Sequence, residues 1–299
     1  MPGPDNENLI ASLRDGRTAG YAVYGDPDGA PLLALHGAPA CRLMFSIADK
    51  AARARGLRIV APDRPGYGLT PPDRDASLAA RAQWLALFAD AVGLERFRLL
   101  GVSGGAPYAV ALAGLIPGRV SSLALVSPMG PVAEYQSSAS GVDHPLAFSH
   151  RRLFLHTSGR LWVTVPAGGL LGVLVRIAPE AFLRLGTRFF GGADAALFSR
   201  PEVKAYFTSM LREAFRQGAY GGTSDLAIYG RPWNVDFKRV NMPVIVWQGT
   251  DDRIVPPQAA RYLAGLLAQC SYVPIKGAGH FWVLGHIWDA ITAIRELPH

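Results

Sequence analysis

The stretch "LLGVSGGAPY", residues 99–108, decides how this chain is read. The apolar run "FRLLGV" leads into it, and the helix-like "APYAVALAGLIPG" leaves it. A strand that turns into a helix within so few residues crowds its own backbone, which favours glycine at Gly101, Gly104 and Gly105. Such a turn lifts the Ser103 hydroxyl above the strand end. The helix start that follows aims backbone N–H groups and a positive dipole end at any negative charge developing there. The competing reading is an ordinary serine in a glycine-rich bend, and the letters "GVSGG" alone do not choose between the two.

Outward from this turn the chain alternates. "PLLALHG" (31–37), "LRIVAPD" (57–63), "FRLLGVS" and "VSSLALVSP" (120–128) are short apolar runs of the kind found in strands buried on both faces. Between them, "FSIADKAARARG" and "SLAARAQWLALFADAVG" (77–93) read as helices. In the second, Ala80, Trp84, Leu87 and Phe88 form one stripe and Gly93 is a stop signal. Upstream, "NLIASLRDGRTAGYAVYGDPDG" reads as two short strands about the Asp15-Gly16 turn. Alternation resumes with the strand "MPVIVWQG" (242–249), a helix from Pro256 to Leu266, the strand "SYVPI" (271–275) and an amphipathic helix after His280. Such a β/α rhythm predicts a mostly parallel sheet covered by helices. From about Met129 to Asp236 the rhythm fails, and helix-like pieces separated by Gly, Pro and Ser take over. The expectation is a core of residues 1–129 and 236–299, with a helical cap inserted over 130–235.

At this point the chain resembles the α/β-hydrolase superfamily, over nearly its whole length outside the cap. A serine hydroxyl is a poor nucleophile without a base, and the base needs an orienting acid. "GTDDRIVP" (249–256) and "GAGHFW" (277–282), each after a strand, look like the superfamily's acid and histidine loops, and the order Ser, acid, His is the superfamily's order. The resemblance implies Ser103 as nucleophile, His280 as base and Asp252 as acid, with Asp251 as fallback. The oxyanion hole would be the backbone N–H groups of Gly104 and of Ala38 in "HGAPA" (36–40), since Pro39 has none to give. His36 would hold that loop, and "DRPGYG" (63–68) would be turn scaffolding near the pocket.

Aspartate serves as nucleophile in the dehalogenases and epoxide hydrolases of this fold, so Ser103 argues against both. Proline iminopeptidases carry "HGGPG" where this chain has "HGAPA". Carbon–carbon hydrolases often place tryptophan directly after the histidine, where Phe281 stands here, so that reading is unfavoured but open. The expected activity is carboxylesterase-type serine hydrolysis through an acyl-enzyme. A non-hydrolytic binder or a natural-product cyclase on the same fold remains the alternative.

Composition bounds the partners. In 299 residues, 49% are hydrophobic and 18% charged, which fits a globular chain with a large core. The net charge of +7 comes without a dense Lys/Arg block, so nucleic acid is not an expected partner. The N-terminal stretch lacks the basic and apolar regions of a secretory leader. Cys41 and Cys270 cannot build a disulfide framework and suit a reducing, cytoplasmic setting. His144, His150 and His156 read as surface or packing residues. No metal-ligand spacing occurs, and a hydrolytic triad needs neither metal nor cofactor. "LWVTVPAGGLLGVLVRIAPE" (161–180) is broken by Pro166 and Gly168-Gly169 and contains Arg176, so buried or pocket-lining helices are expected rather than a membrane span. Trp162 and Trp282 are the expected substrate-contacting aromatics, around a small, apolar ester.

Overall fold

The apolar runs form the strands they predict. The computed structural model describes residues 6–73, 75, 77–131, 172–187 and 190–299. Its strands are β1 (Leu9–Ser12), β2 (Thr18–Gly25), β3 (Ala30–Leu35), β4 (Leu57–Pro62), β5 (Phe97–Val102), β6 (Val120–Val126), β7 (Val244–Gly249) and β8 (Cys270–Ile275). They make one sheet in the order β1-β2-β4-β3-β5-β6-β7-β8. β2 pairs antiparallel with both neighbours, and every pairing from β4 to β8 is parallel.

Every residue of β5 and β6 is buried, because helices cover both faces of a parallel sheet. Alternation splits the side chains between two cores. Leu33, Leu99, Leu123 and Val246 face α2 (Leu78–Ala91) and α3 (Ala106–Leu115). Leu32, Leu100, Val102, Val126 and Trp247 face the opposite way, toward α1 (Asp49–Ala54) and the C-terminal helix Ile287–Glu296.

Three helical expectations change in detail. The first crossover is a 3₁₀ segment (Arg42–Ala48) followed by α1, not one helix. The buried stripe of α2 is Arg81, Trp84, Leu85 and Phe88, one position round from Ala80 and Leu87. Its polar member is tolerated because Arg81 pairs with Asp73 at 3.1 Å. The helix after His280 is delayed: a 3₁₀ turn, Trp282–Gly285, comes first.

Between β6 and β7 the described chain contains the helices α4 (Pro179–Gly186), α5 (Gly192–Phe198), α6 (Pro201–Ala214) and α7 (Tyr220–Tyr229). Phe198, Phe207, Met210 and Leu211 centre a third hydrophobic cluster there. By contrast Ile228, Tyr229 and Trp233 pack into the α2/α3 side of the main core, so the end of the insertion is continuous with it. Among the described residues no helix is long and apolar enough to cross a membrane.

Candidate active site

The strand order creates the site. From β3 the chain steps outward to β4, then returns to β5 on the other side of β3. Crossovers leaving β3 and β5 therefore cover opposite faces, which opens a crevice beyond the carboxyl ends of these two strands. Ser103 follows β5 directly, and the loop 36–40 follows β3.

Ser103 sits at φ 50°, in the left-handed region that side chains with a Cβ rarely occupy. The turn holds it there between β5 and a short 3₁₀ segment, Ser103–Gly105, that runs into α3. Gly105 must be glycine: a Cβ there would overlap the Leu35 carbonyl of the neighbouring strand. The reading of this stretch as a strand–turn–helix elbow therefore matches the backbone.

His280 Nε2 lies 3.0 Å from Ser103 Oγ, and its Nδ1 lies 2.8 Å from Asp252 Oδ2. A carboxylate accepts only, so Nδ1 carries the proton and Nε2 offers its lone pair to the serine hydroxyl. Asp252 is itself held: its Oδ1 accepts the N–H groups of Ile254 and Val255, both at 2.8 Å, and Gln248 Nε2 donates to Oδ2 at 2.8 Å. Asp251 is exposed and accepts from the Thr250 hydroxyl instead. The loops after β7 and β8 are joined by bonds from the Asp251 N–H to the Ala278 carbonyl (2.9 Å) and from the Gly277 N–H to Thr250 Oγ1 (2.8 Å). Asp252 and His280 thus meet through two turns fixed to each other, and His280 reaches Ser103, 177 positions away in the chain.

The backbone of His280 is tied as firmly as its ring. Its carbonyl accepts the Ser127 hydroxyl at 3.0 Å. Its N–H donates to Asp194 Oδ2 at 2.8 Å, and the next N–H, of Phe281, donates to Asp194 Oδ1 at 2.9 Å. Asp194 comes from α5 in the insertion and is wholly buried. Glycine at 279 is required by this approach, because a Cβ would overlap the Asp194 carboxylate. Burial opposes a charge on the His280 ring, but the Asp252 carboxylate beside it and then the charge of Asp194 outweigh that. The pKa is raised from the ordinary 6.5. Sequence reading missed Asp194. The one available signal is Gly279 before the histidine, which marks a close approach without naming the partner.

The loop 36–40 rests on a second polar network. His36 Nδ1 bonds to the Gly37 carbonyl (2.7 Å), and its Nε2 accepts the Arg64 N–H (3.1 Å). Burial, then the nearby Arg64 charge, push its pKa well below 6.5, so the ring is neutral and structural. The Arg64 guanidinium donates to the carbonyls of His36 and Gly37 and pairs with Asp225 of α7 at 2.7 Å. Asp225 also accepts from Tyr67 and Tyr108, and Tyr229 donates to the Gly104 carbonyl at 2.8 Å. This fixes the two segments carrying Ala38 and Gly104. A Cβ on Gly104 would stand 3.0 Å from Ala38 Cβ, and one on Gly37 would stand 3.5 Å from Ser103 Cβ. The backbone segments that carry these two amides are therefore neighbours at Ser103.

Ser103 and His280 open into a cavity of about 360 Å³, within the range of small-molecule sites, roughly 300–1,000 Å³. Among its described lining residues none is charged, and the polar side chains are Ser103, His280 and Tyr206. The Tyr206 hydroxyl is already spent on the Met44 carbonyl. Phe190, Phe198, Phe207 and Phe281 contribute an aromatic wall. Trp282 is absent from these walls. It packs in the core under the sheet, and the 3₁₀ turn presents Phe281 to the cavity in its place. Trp162, His144, His150 and His156 lie outside the described residues, as does 161–171 of the expected apolar segment. Of the remainder, Val175 is buried in the insertion's own cluster, while Val173 and Leu174 are exposed. Cys41 and Cys270 are both free thiols.

Residues 30–286 match the family model described as alpha/beta hydrolase fold. The chain belongs to that family. It is 26% identical over 276 residues to a non-heme chloroperoxidase of Streptomyces lividans, covering 91% of this chain and 92% of that one. It is 28% identical over 276 residues to a 2-hydroxymuconate semialdehyde hydrolase of Pseudomonas putida, covering 90% and 87%. In fold it is similar to an esterase (EaEST) from Exiguobacterium antarcticum, with a TM-score of 0.72 at 20% identity, covering 96% of this chain and 97% of that one.

Proposed function

We propose that the protein is a serine hydrolase of neutral, apolar carboxylic esters, with Ser103 as nucleophile, His280 as base and Asp252 as orienting acid. The observation that carries this reading is the continuous hydrogen-bonded chain from Ser103 through His280 to Asp252, lining a cavity with no charged side chain among its described walls. In the first half-reaction Ser103 Oγ attacks the ester carbonyl while its proton passes to His280 Nε2. The oxyanion faces the N–H groups of Ala38 and Gly104. Collapse breaks the bond to the alcohol oxygen, which leaves with the proton from His280. Water repeats the cycle on the acyl-enzyme, releasing the carboxylic acid and freeing Ser103.

The relative from Pseudomonas putida is named for 2-hydroxymuconate semialdehyde, and a muconate is an anion. A buried carboxylate needs a cationic or multiply donating partner, and the described cavity wall offers no cation. That favours the ester reading. The test is treatment with a fluorophosphonate probe together with hydrolysis of p-nitrophenyl esters. Covalent labelling and turnover, both lost in Ser103→Ala, are expected. Labelling that persists in the variant would remove Ser103 from the mechanism.

A further inference from the structure

The cavity walls come from two separate hydrophobic clusters. One part belongs to the insertion: Phe182, Phe198, Phe207 and Met210. The other lies below the nucleophile, on the α1 face of the sheet, where Leu100, Val102 and Val126 face Ala48 and the C-terminal helix. Ile287, Ala290, Ile291 and Ile294 of that helix all line it. Their i, i+3, i+4, i+7 spacing is one continuous stripe. The seven steps from Ile287 to Ile294 span about 10 Å of helix, so the space runs along two turns rather than forming a single dent.

Packing accident does not explain this lobe. Protein interiors are close-packed, with few voids larger than a water molecule. Here the space is continuous with Ser103 and bordered by the small side chains Ala48 and Ala290, and among the described residues its walls below the serine carry no polar side chain to hold water. Order of events then decides which half of an ester it takes. The alcohol departs while the acyl group stays bonded to Ser103. Leu100, Val102, Val126, Ala290, Ile291 and Ile294 are all buried, so an alcohol arm lodged among them would have to leave past the acyl-enzyme, whereas an acyl arm can wait there for water.

We infer that the lobe between β5, β6 and the C-terminal helix is the acyl subsite, and that it takes an unbranched aliphatic chain of about eight carbons, since an extended chain advances about 1.3 Å per bond along about 10 Å of helix. This rests on the ester-hydrolase reading and adds the shape and identity of the preferred acyl group. The measurement is kcat/KM over p-nitrophenyl esters from acetate to laurate, beside a series of n-alkyl acetates. The wild type should peak at a medium acyl length. Ala290→Phe, which fills the lobe, should lower the octanoate-to-acetate ratio at least tenfold, and Ile294→Ala should move the peak to longer chains. Relative rates across the alkyl acetates should stay in place in both. If Ala290→Phe does not fold, Ile294→Ala carries the test alone. An acyl profile unmoved in the folded variants, or movement of the alkyl acetate profile instead, overturns the assignment. Binding of p-nitrophenyl octanoate to Ser103→Ala requires no turnover. If wild type lacks hydrolysis yet Ala290→Phe in that background weakens binding, the lobe stands and the hydrolase reading falls.

Discussion

The carboxylate of Asp194 reaches from the insertion to the backbone of His280, accepting its N–H at 2.8 Å and that of Phe281 at 2.9 Å. The ring of His280 is held by the core through Asp252, and its main chain is held partly by the insertion. Asp194→Asn keeps the size but replaces one acceptor by a donor that faces an N–H. Each hydrogen bond to a charged group contributes about 1.5–3 kcal/mol, so kcat should fall by at least tenfold. Loss of the negative charge should also lower the pKa of His280 and move the acid limb of the kcat/KM profile to lower pH. A rate loss with an unmoved acid limb would show that the residue acts through packing alone.

For the wild type, the sign follows from the raised pKa of His280. The protonated ring cannot accept the Ser103 proton, so activity is absent at low pH and rises through the His280 titration. That rise should be centred above 6.5, the ordinary histidine value. A profile flat down to about pH 4 would be incompatible with a histidine base.

Asp252→Asn and Asp251→Asn should differ sharply. The first removes the acceptor that fixes the imidazole tautomer and stabilises imidazolium, with an expected loss of about 10⁴ in kcat. The second alters an exposed side chain bonded to Thr250, and activity should stay within about twofold, as for surface changes generally. Comparable losses would mean that the acid loop has a different working register.

Ser103→Ala should reduce ester hydrolysis by several orders of magnitude and leave the denaturation midpoint near that of wild type. The strained φ is imposed by β5, Gly105 and α3, none of which the hydroxyl supports. Wild-type-like turnover would end the nucleophile assignment.

Asp225→Ala probes the scaffold rather than the chemistry. It leaves the buried Arg64 guanidinium without its carboxylate, and breaking such a pair costs about 3–5 kcal/mol. Urea denaturation should show the loss. Activity per folded molecule should fall as well, because Arg64 holds the carbonyls of the loop carrying Ala38.

The sheet was legible in the sequence because strands buried on both faces need uninterrupted apolar runs, and β3, β5 and β6 supply them. The meeting of Ser103, Asp252 and His280 was legible because the loops after β5, β7 and β8 carry them, where short-range sequence dictates the turn. Asp194 was not. In "GGADAALF" it is indistinguishable from an acidic residue in the first turn of an exposed helix, and only packing against residues 279–281 gives it a role. The displacement of Trp282 by Phe281 has the same origin, since a delayed helix start rotates which aromatic faces the cavity. The stripe of α2 is shifted from Ala80 and Leu87 toward Arg81 and Leu85, because Asp73 lets an arginine be buried there.

The cavity that divides the insertion's cluster from the core beneath the sheet also sets how the molecule yields under stress. Side chains that face each other across a cavity forgo part of the dispersion contacts they would make in a packed core. Amides of α6 should therefore exchange with deuterium through a smaller opening than those of β5 and β6. An apolar ligand filling the gap acts as mortar: at a hundred times its Kd it adds about 2.7 kcal/mol to the whole fold. The same ligand should bring protection of α6 toward that of the sheet, so that two units that open separately when empty melt as one when full.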